Sequence, residues 1–261
     1  MATVSKKRPL DRLPPEGQLV NRAWLQARGV DRPLVDSWLR SGKLVAVSHG
    51  VYRRPGPPLK WEQVVYSLNE IGVRVHVGGR SALELQGLAH YLPLQGVTRV
   101  SLYTTSRVPA WVQAFSAEYR FTVHRRRLFK TLPSVAVVPK PFGAWDWPVP
   151  YATVELALLE LLADVRQAAD FDFADKFFEA TTMLRPALVR ELLLACSHVL
   201  AKRLFLWFAA RHRHAWFSKL DTKRVDLGRG KRLVVKGGAL DARYQITVPR
   251  GMTHGSEQSI F

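Results

Sequence analysis

The chain has 261 residues, 47% of them hydrophobic, which is length for one or two domains and enough apolar material for a sizeable core, so intrinsic disorder is not the expectation. Lys and Arg number 39 against 21 Asp and Glu, a net charge of +18, and a field of that sign draws polyanions, nucleic acid first among them. The single cysteine, Cys196, excludes an intrachain disulfide and fits a reducing compartment, so a cytoplasmic location is expected.

Residues 1–17 are rich in Pro and charge and are expected to fray; they lack the apolar core of a signal peptide. Asn21 is placed to cap a short helix that stops at Gly29. Asp31 caps the next, with Pro33 in its first turn, where a missing N–H costs nothing. In that second helix Leu34, Val35, Trp38 and Leu39 make one apolar stripe, and Gly42 ends it. Two short runs, 44–47 and 50–53, flank Ser48-His49 as a β-hairpin. The order helix, Gly turn, helix, Gly, hairpin predicts a winged helix-turn-helix whose second helix enters the major groove of duplex DNA. Residues 1–60 carry twelve Lys and Arg against four Asp and Glu, so the positive charge sits where that reading needs it. Arg32, Ser37 and Arg40 lie off the apolar stripe and are the candidates for base edges. Lys43, His49, Arg53 and Arg54 are candidates for the phosphate backbone.

Beyond the proline-rich break at 55–58, the spacing of Trp61, Val64, Val65, Leu68 and Ile71 predicts a helix over 60–71. A strand follows over 73–77 and a short helix over 81–88. Strands are expected at 97–103, 121–128 and 135–138, and the four prolines of 139–150 predict a structured loop. Four helices come next: one capped by Thr153, then 171–183, 186–200 and 203–217. Short strands at 232–235 and 244–248 close the chain. The longest apolar run, 204–210, is about a third of a membrane span, so no membrane partner is expected.

The run LVNRAWLQARGVDRPLVDSWLRSGKLVAVSHGVYRRPG (19–56) resembles the N-terminal domain of AbiEi-family antitoxins. The likeness continues through VGGRSALELQGLAHYLP (77–93), PYATVELALLELL (150–162), KRLFLWFA (202–209) and ARYQITVPR (242–250), and so covers nearly the whole chain. The resemblance implies an antitoxin of a type IV toxin–antitoxin system linked to abortive phage infection. It implies a winged helix that represses its own operon at promoter inverted repeats, and a C-terminal domain that neutralises a nucleotidyltransferase toxin, generally without a stable complex. It supplies no residue-level antitoxin site. The fold class expected is α+β: a winged helix-turn-helix with supporting helices over 1–93, then a mixed α/β antitoxin domain over 94–261. Two copies on one DNA site follow from inverted repeats. A ligand-sensing transcription factor, and an antitoxin that modifies its toxin enzymatically, are the alternative readings.

No catalytic constellation stands out, and no cofactor or metal is expected. Gly78-Gly79-Arg80-Ser81 before a helix has the form of an anion site but is more often a packing turn. His212 and His214, two apart on one helix, point to different sides and make a poor metal pair. Glu155 and Glu160 read as a solvated helix face. Residues 198–236 carry eleven Lys and Arg against two Asp, with Trp207, Phe208, Trp216 and Phe217 among them. Either the aromatics are core and the charges solvated, or Lys202, Arg203, Arg211 and Arg213 form a basic surface related to RNA or toxin.

Overall fold

The computed structural model describes residues 13–88, 98–114 and 119–253. The expected fraying of residues 1–12, the boundary at Pro93 and the first residue of the strand at 97–103 lie outside them. The chain divides into two compact units, one of Met1–His76, Gln95–Arg125 and Pro139–Pro150, the other of Val77–Leu94, Arg126–Val138 and Tyr151–Phe261. Neither is one continuous stretch of sequence.

The first unit begins with β1 (Val20–Asn21), α1 (Arg22–Gln26), α2 (Arg32–Arg40), β2 (Val45–Ser48) and β3 (Val51–Arg53). The three strands form an antiparallel sheet in the order β1-β3-β2, with Val20 opposite Tyr52 and Val45 opposite Arg53. Strand β1, two residues long, carries no alternation to read. The core of this region is Val20, Leu25, Val30, Val35, Trp38, Leu44 and Tyr52. Pro14 and Gly17 are buried, so the part of the N-terminal stretch that is described packs instead of fraying. Helix α3 (Trp61–Glu70) buries Val64, Val65 and Leu68. Its Ser67 hydroxyl accepts from the Leu19 amide at 2.9 Å and donates to the Gln63 carbonyl at 2.6 Å, tying the approach to β1 onto the helix.

After α3 come β4 (His76–Val77), α4 (Gly79–Glu84), β5 (Thr98–Thr104), β6 (Tyr119–Arg125), β7 (Val137–Phe142) and β8 (Trp147–Ala152). In the first unit β5 and β6 pair in parallel over seven residues, from Thr98 opposite Tyr119 to Thr104 opposite Arg125. The 139–150 segment, expected as a loop, is instead two strands joined by a turn. Pro139 and Pro141 sit two apart on β7, which is an edge strand, so their missing N–H groups fall on one side and the other side keeps its bonds. Only His76–Val77 of the strand expected over 73–77 forms, and 134–136 is a 3-10 turn before β7.

The second unit is mainly helical. It holds α5 (Val154–Leu162), α6 (Ala168–Ala180), α7 (Pro186–Ala195), α8 (Val199–His212) and α9 (Ala215–Ser218), then the antiparallel pair β9 (Ala239–Asp241) and β10 (Ile246–Val248). Val77 pairs in parallel with Tyr151 beside them. Thr153 occupies the N-cap of α5, but its hydroxyl is buried without a partner and makes no cap bond. The helix expected over 186–200 stops at Ala195, because Cys196 bridges to Phe129 and the Ser197 amide donates to the Leu128 carbonyl. The helix expected over 203–217 is two, divided at Arg213, which is left-handed at φ 50°. Of the strand expected over 232–235 only the bridge between Arg232 and Ile246 forms. Helix α8 is buried on every side from Ala201 to Ala209 and runs through the core: Leu204, Phe205, Trp207, Phe208 and Ala209 are fully buried. Phe171 meets Trp207 edge-on, and Phe178 stacks on Phe208.

Candidate nucleic-acid interface

Helices α1 and α2 are set by side-chain caps. Asn21 Oδ1 accepts from the Trp24 amide at 2.8 Å, and Asp31 Oδ1 from the Leu34 amide at 3.0 Å. Gly29 between them adopts φ +72°, and Gly42 after α2 adopts φ +69°, a region that costs other residues. The Trp38 carbonyl then accepts from both Lys43 and Leu44, fixing where the chain leaves α2 for the hairpin. Val35 and Trp38 point into the core, while Arg32, Ser37 and Arg40 on the same helix are exposed. Arg32 lies 3.9 Å from Asp36 one turn on, with both side chains at least half exposed; such a pair is weak and leaves the guanidinium able to rearrange. Lys43, His49 and Arg54 are exposed on and around the hairpin. Arg53 behaves differently from its neighbours: its guanidinium donates to the Pro57 carbonyl at 2.8 Å and the Gly56 carbonyl at 3.0 Å. It braces the chain leaving the hairpin, which makes the expected phosphate contact secondary to a structural one.

The basic surface expected of Lys202, Arg203, Arg211 and Arg213 is largely absent. Lys202 and Arg203 are buried, at 5% and 2% exposure, because they lie on the core helix α8. Arg211 is half-buried and pairs with Asp175 at 3.1 Å, and of the four residues only Arg213 is exposed. The aromatics Trp207, Phe208 and Trp216 are core, as the first of the two readings has it. Arg203 donates to four carbonyls, those of Leu227, Gly228, Gly230 and Gln245. No pattern in the sequence marks that role.

Three further expectations change. Glu155 and Glu160 are buried, not solvated. Burial pushes the Glu155 carboxyl up, but hydrogen bonds from the Arg185 side chain and amide outweigh it, and its pKa lies below the usual carboxylate value. The anion at the Gly78-Gly79 turn is internal, since the Gly79 amide donates to Glu160 Oε2 at 2.9 Å. The His212 and His214 rings do not diverge: Arg213 breaks the helix and they stack, with centroids 5.8 Å apart. Each Nε2 already has a partner, Asp175 at 2.7 Å for His212 and the Phe178 carbonyl at 2.8 Å for His214. Among the described residues no group of three His, Cys, Asp or Glu is arranged to hold a metal, and no helix is long and apolar enough to cross a membrane.

His198 caps α8 through Nδ1, which accepts from the Ala201 amide at 3.2 Å and so must be unprotonated. Burial, then the nearby Arg126 and Arg166, pushes its pKa below the ordinary 6.5, against a smaller opposing pull from Asp164. The stability this neutral cap provides is whole above about pH 6.5, where the unfolded chain is also neutral, and is lost progressively as pH falls below that value toward the folded pKa. Melting temperature followed from neutral to mildly acidic pH should therefore drop in the parent. His198→Asn, which caps without titrating, should flatten this part of the profile, and an unchanged slope would contradict the assignment.

A short helix held by Asp and Pro, a Gly exit, a β-hairpin and exposed cations on the free side of the second helix define a winged helix-turn-helix regulator. The sequence comparisons agree. A family model described as "Transcriptional regulator, AbiEi antitoxin N-terminal domain" matches residues 5–94, and one described as "Transcriptional regulator, AbiEi antitoxin, Type IV TA system" matches residues 97–249. The chain belongs to the AbiEi antitoxin family of transcriptional regulators of type IV toxin–antitoxin systems. No curated protein matches it. Among solved structures it is similar to the RV2827C protein from Mycobacterium tuberculosis, at 14% identity and a TM-score of 0.49, over 88% of this chain and 86% of that one.

Proposed function

We propose that this regulator binds inverted repeats in the promoter of its own operon and there represses a co-encoded nucleotidyltransferase toxin, which it also neutralises without itself catalysing a reaction. Repression belongs to residues 1–93 and neutralisation to 94–261. Arg32, Ser37 and Arg40 reach base edges in the major groove, and Lys43, His49 and Arg54 hold phosphates, with Arg53 keeping the end of the hairpin in shape. The observation that carries the reading is the two-sidedness of α2, with Val35 and Trp38 at 1% and 3% exposure and Arg32, Ser37 and Arg40 turned outward. Repeats on DNA call for two copies of the chain, one per half-site.

The test is binding to a labelled promoter fragment by Arg32→Ala/Arg40→Ala. A two-pronged Arg–guanine contact contributes about 1–3 kcal/mol, so the double variant should bind at least about tenfold more weakly. Its loss should be greater on the promoter than on unrelated duplex. Both substitutions are at exposed positions, so the melting curve should not move. Equal affinity of parent and variant for the promoter would overturn the assignment of α2.

A further inference from the structure

The buried Arg203 organises something. Between Leu220 and Arg250 the chain has eight Lys and Arg and three Asp. Each of the three carboxylates accepts from a nearby N–H: Asp221 from the Lys223 amide, Asp226 from the Gly228 amide, Asp241 from the Tyr244 amide and the Trp207 indole. Among the described residues none of them forms an ion pair with these cations. Within this segment, the loop 226–232 turns through Gly228 and Gly230, left-handed at φ +63° and +76°, and exposes Arg229, Lys231 and Arg232. Arg203 pins it from beneath through the Leu227, Gly228 and Gly230 carbonyls at 2.7, 3.1 and 2.6 Å. Its far end is fixed by bonds from the Arg232 amide to Gln245 and from the Thr247 amide to Arg232. Leu233 follows at 74% exposure.

Three cations in four residues repel one another, and a buried guanidinium below adds to that repulsion. The loop has one acid of its own, Asp226, against three exposed cations and the guanidinium below, and this excess of positive charge suits a surface that receives an external polyanion. It is too short and irregular to enter a duplex groove as a helix or ribbon does. An apolar side chain beside the cations suits unstacked bases, which a single strand offers and a duplex hides. We infer that the loop carrying Arg229, Lys231 and Arg232, with Leu233 beside it, binds single-stranded nucleic acid, its cations on the phosphates and Leu233 against a base; oligouridylate serves as the probe. This site is separate from the operator contact of α2. Arg203 is its positioning residue.

The experiment is fluorescence anisotropy of the full chain with a labelled oligouridylate of roughly 16 nucleotides, and with duplex DNA, across a salt series starting near 50 mM. The loop variant is Arg229→Gln/Lys231→Gln/Arg232→Gln; circular dichroism and the melting curve check that it folds. It should bind the RNA about tenfold more weakly at the lowest salt. Its plot of log affinity against log salt should be shallower by about 2, from 0.7 for each of three lost phosphate contacts. Arg32→Ala/Arg40→Ala should bind the oligouridylate like the parent. Three results would each overturn the inference: no RNA binding by the parent near 50 mM salt, unchanged affinity and slope in the loop variant, or an equal loss on duplex DNA. None of them bears on promoter recognition by α2.

Discussion

Trp38→Ala should lower the stability of the winged-helix region by about 3–5 kcal/mol and abolish promoter binding with it. The side chain is 3% exposed and packs among Val20, Leu25, Val30, Val35, Leu44 and Tyr52, which come from both helices and the hairpin. Removing the indole opens a cavity that elements held by caps and left-handed glycines cannot close by sliding. The loss is a large part of the roughly 5–15 kcal/mol that a domain has in total. The same residue's carbonyl accepts from Lys43 and Leu44, so slack in α2 is passed to the hairpin. Urea denaturation followed by far-ultraviolet dichroism reads the stability, and a promoter shift reads the binding. Trp38→Phe keeps most of the volume and should keep most of both. A loss below about 1 kcal/mol in the alanine variant would show that α2 does not turn this face inward.

Arg203→Met is expected to cost a comparable amount, about 3–5 kcal/mol, in the second unit. Four carbonyls lose a charged donor together, and bonds to charged groups are the stronger kind. Water can reach Gly228 and Gly230, which are exposed, and that partial recovery keeps the loss below a simple sum. Arg203→Lys should recover less than half of it, since one ammonium lacks the planar fork that spans carbonyls from separate parts of the chain. The denaturation midpoint measures the cost, and limited proteolysis should place the new cleavage at 226–232. A midpoint shift in Arg203→Met no larger than that of an exposed-site control would contradict the hub.

The winged helix was legible because its signals are local. Asn21, Asp31, Pro33, Gly29 and Gly42 act on neighbours three or four residues away, and each holds the place their chemistry implies. The exposed candidates on α2 followed from a single stripe of apolar residues. The second unit was harder to read because its decisive contacts are distant in sequence. Arg203 reaches across 24 to 42 residues, Glu160 lies 81 from the amide it accepts, and Glu155 is satisfied by Arg185 across 30. A carboxylate or guanidinium satisfied at that range looks, in sequence, the same as one in water. The proline-bearing strand β7 misled for the opposite reason: local rules against Pro in a sheet do not apply on an edge whose outer N–H groups need no partner, whereas nothing in the sheet order explains Pro148 and Pro150 on the interior strand β8.

The claim on which the regulator reading rests is that the outer face of α2 lies in the groove of promoter DNA. Ser41→Cys, at the exposed C-cap of α2 and outside the proposed base contacts, places a single reactive thiol beside that face, since burial shields Cys196 and pushes its thiol pKa up. An iron chelate tethered there should cut the promoter within each half of the inverted repeat and nowhere else. Promoter binding at parental affinity with no cleavage from the tether would contradict it.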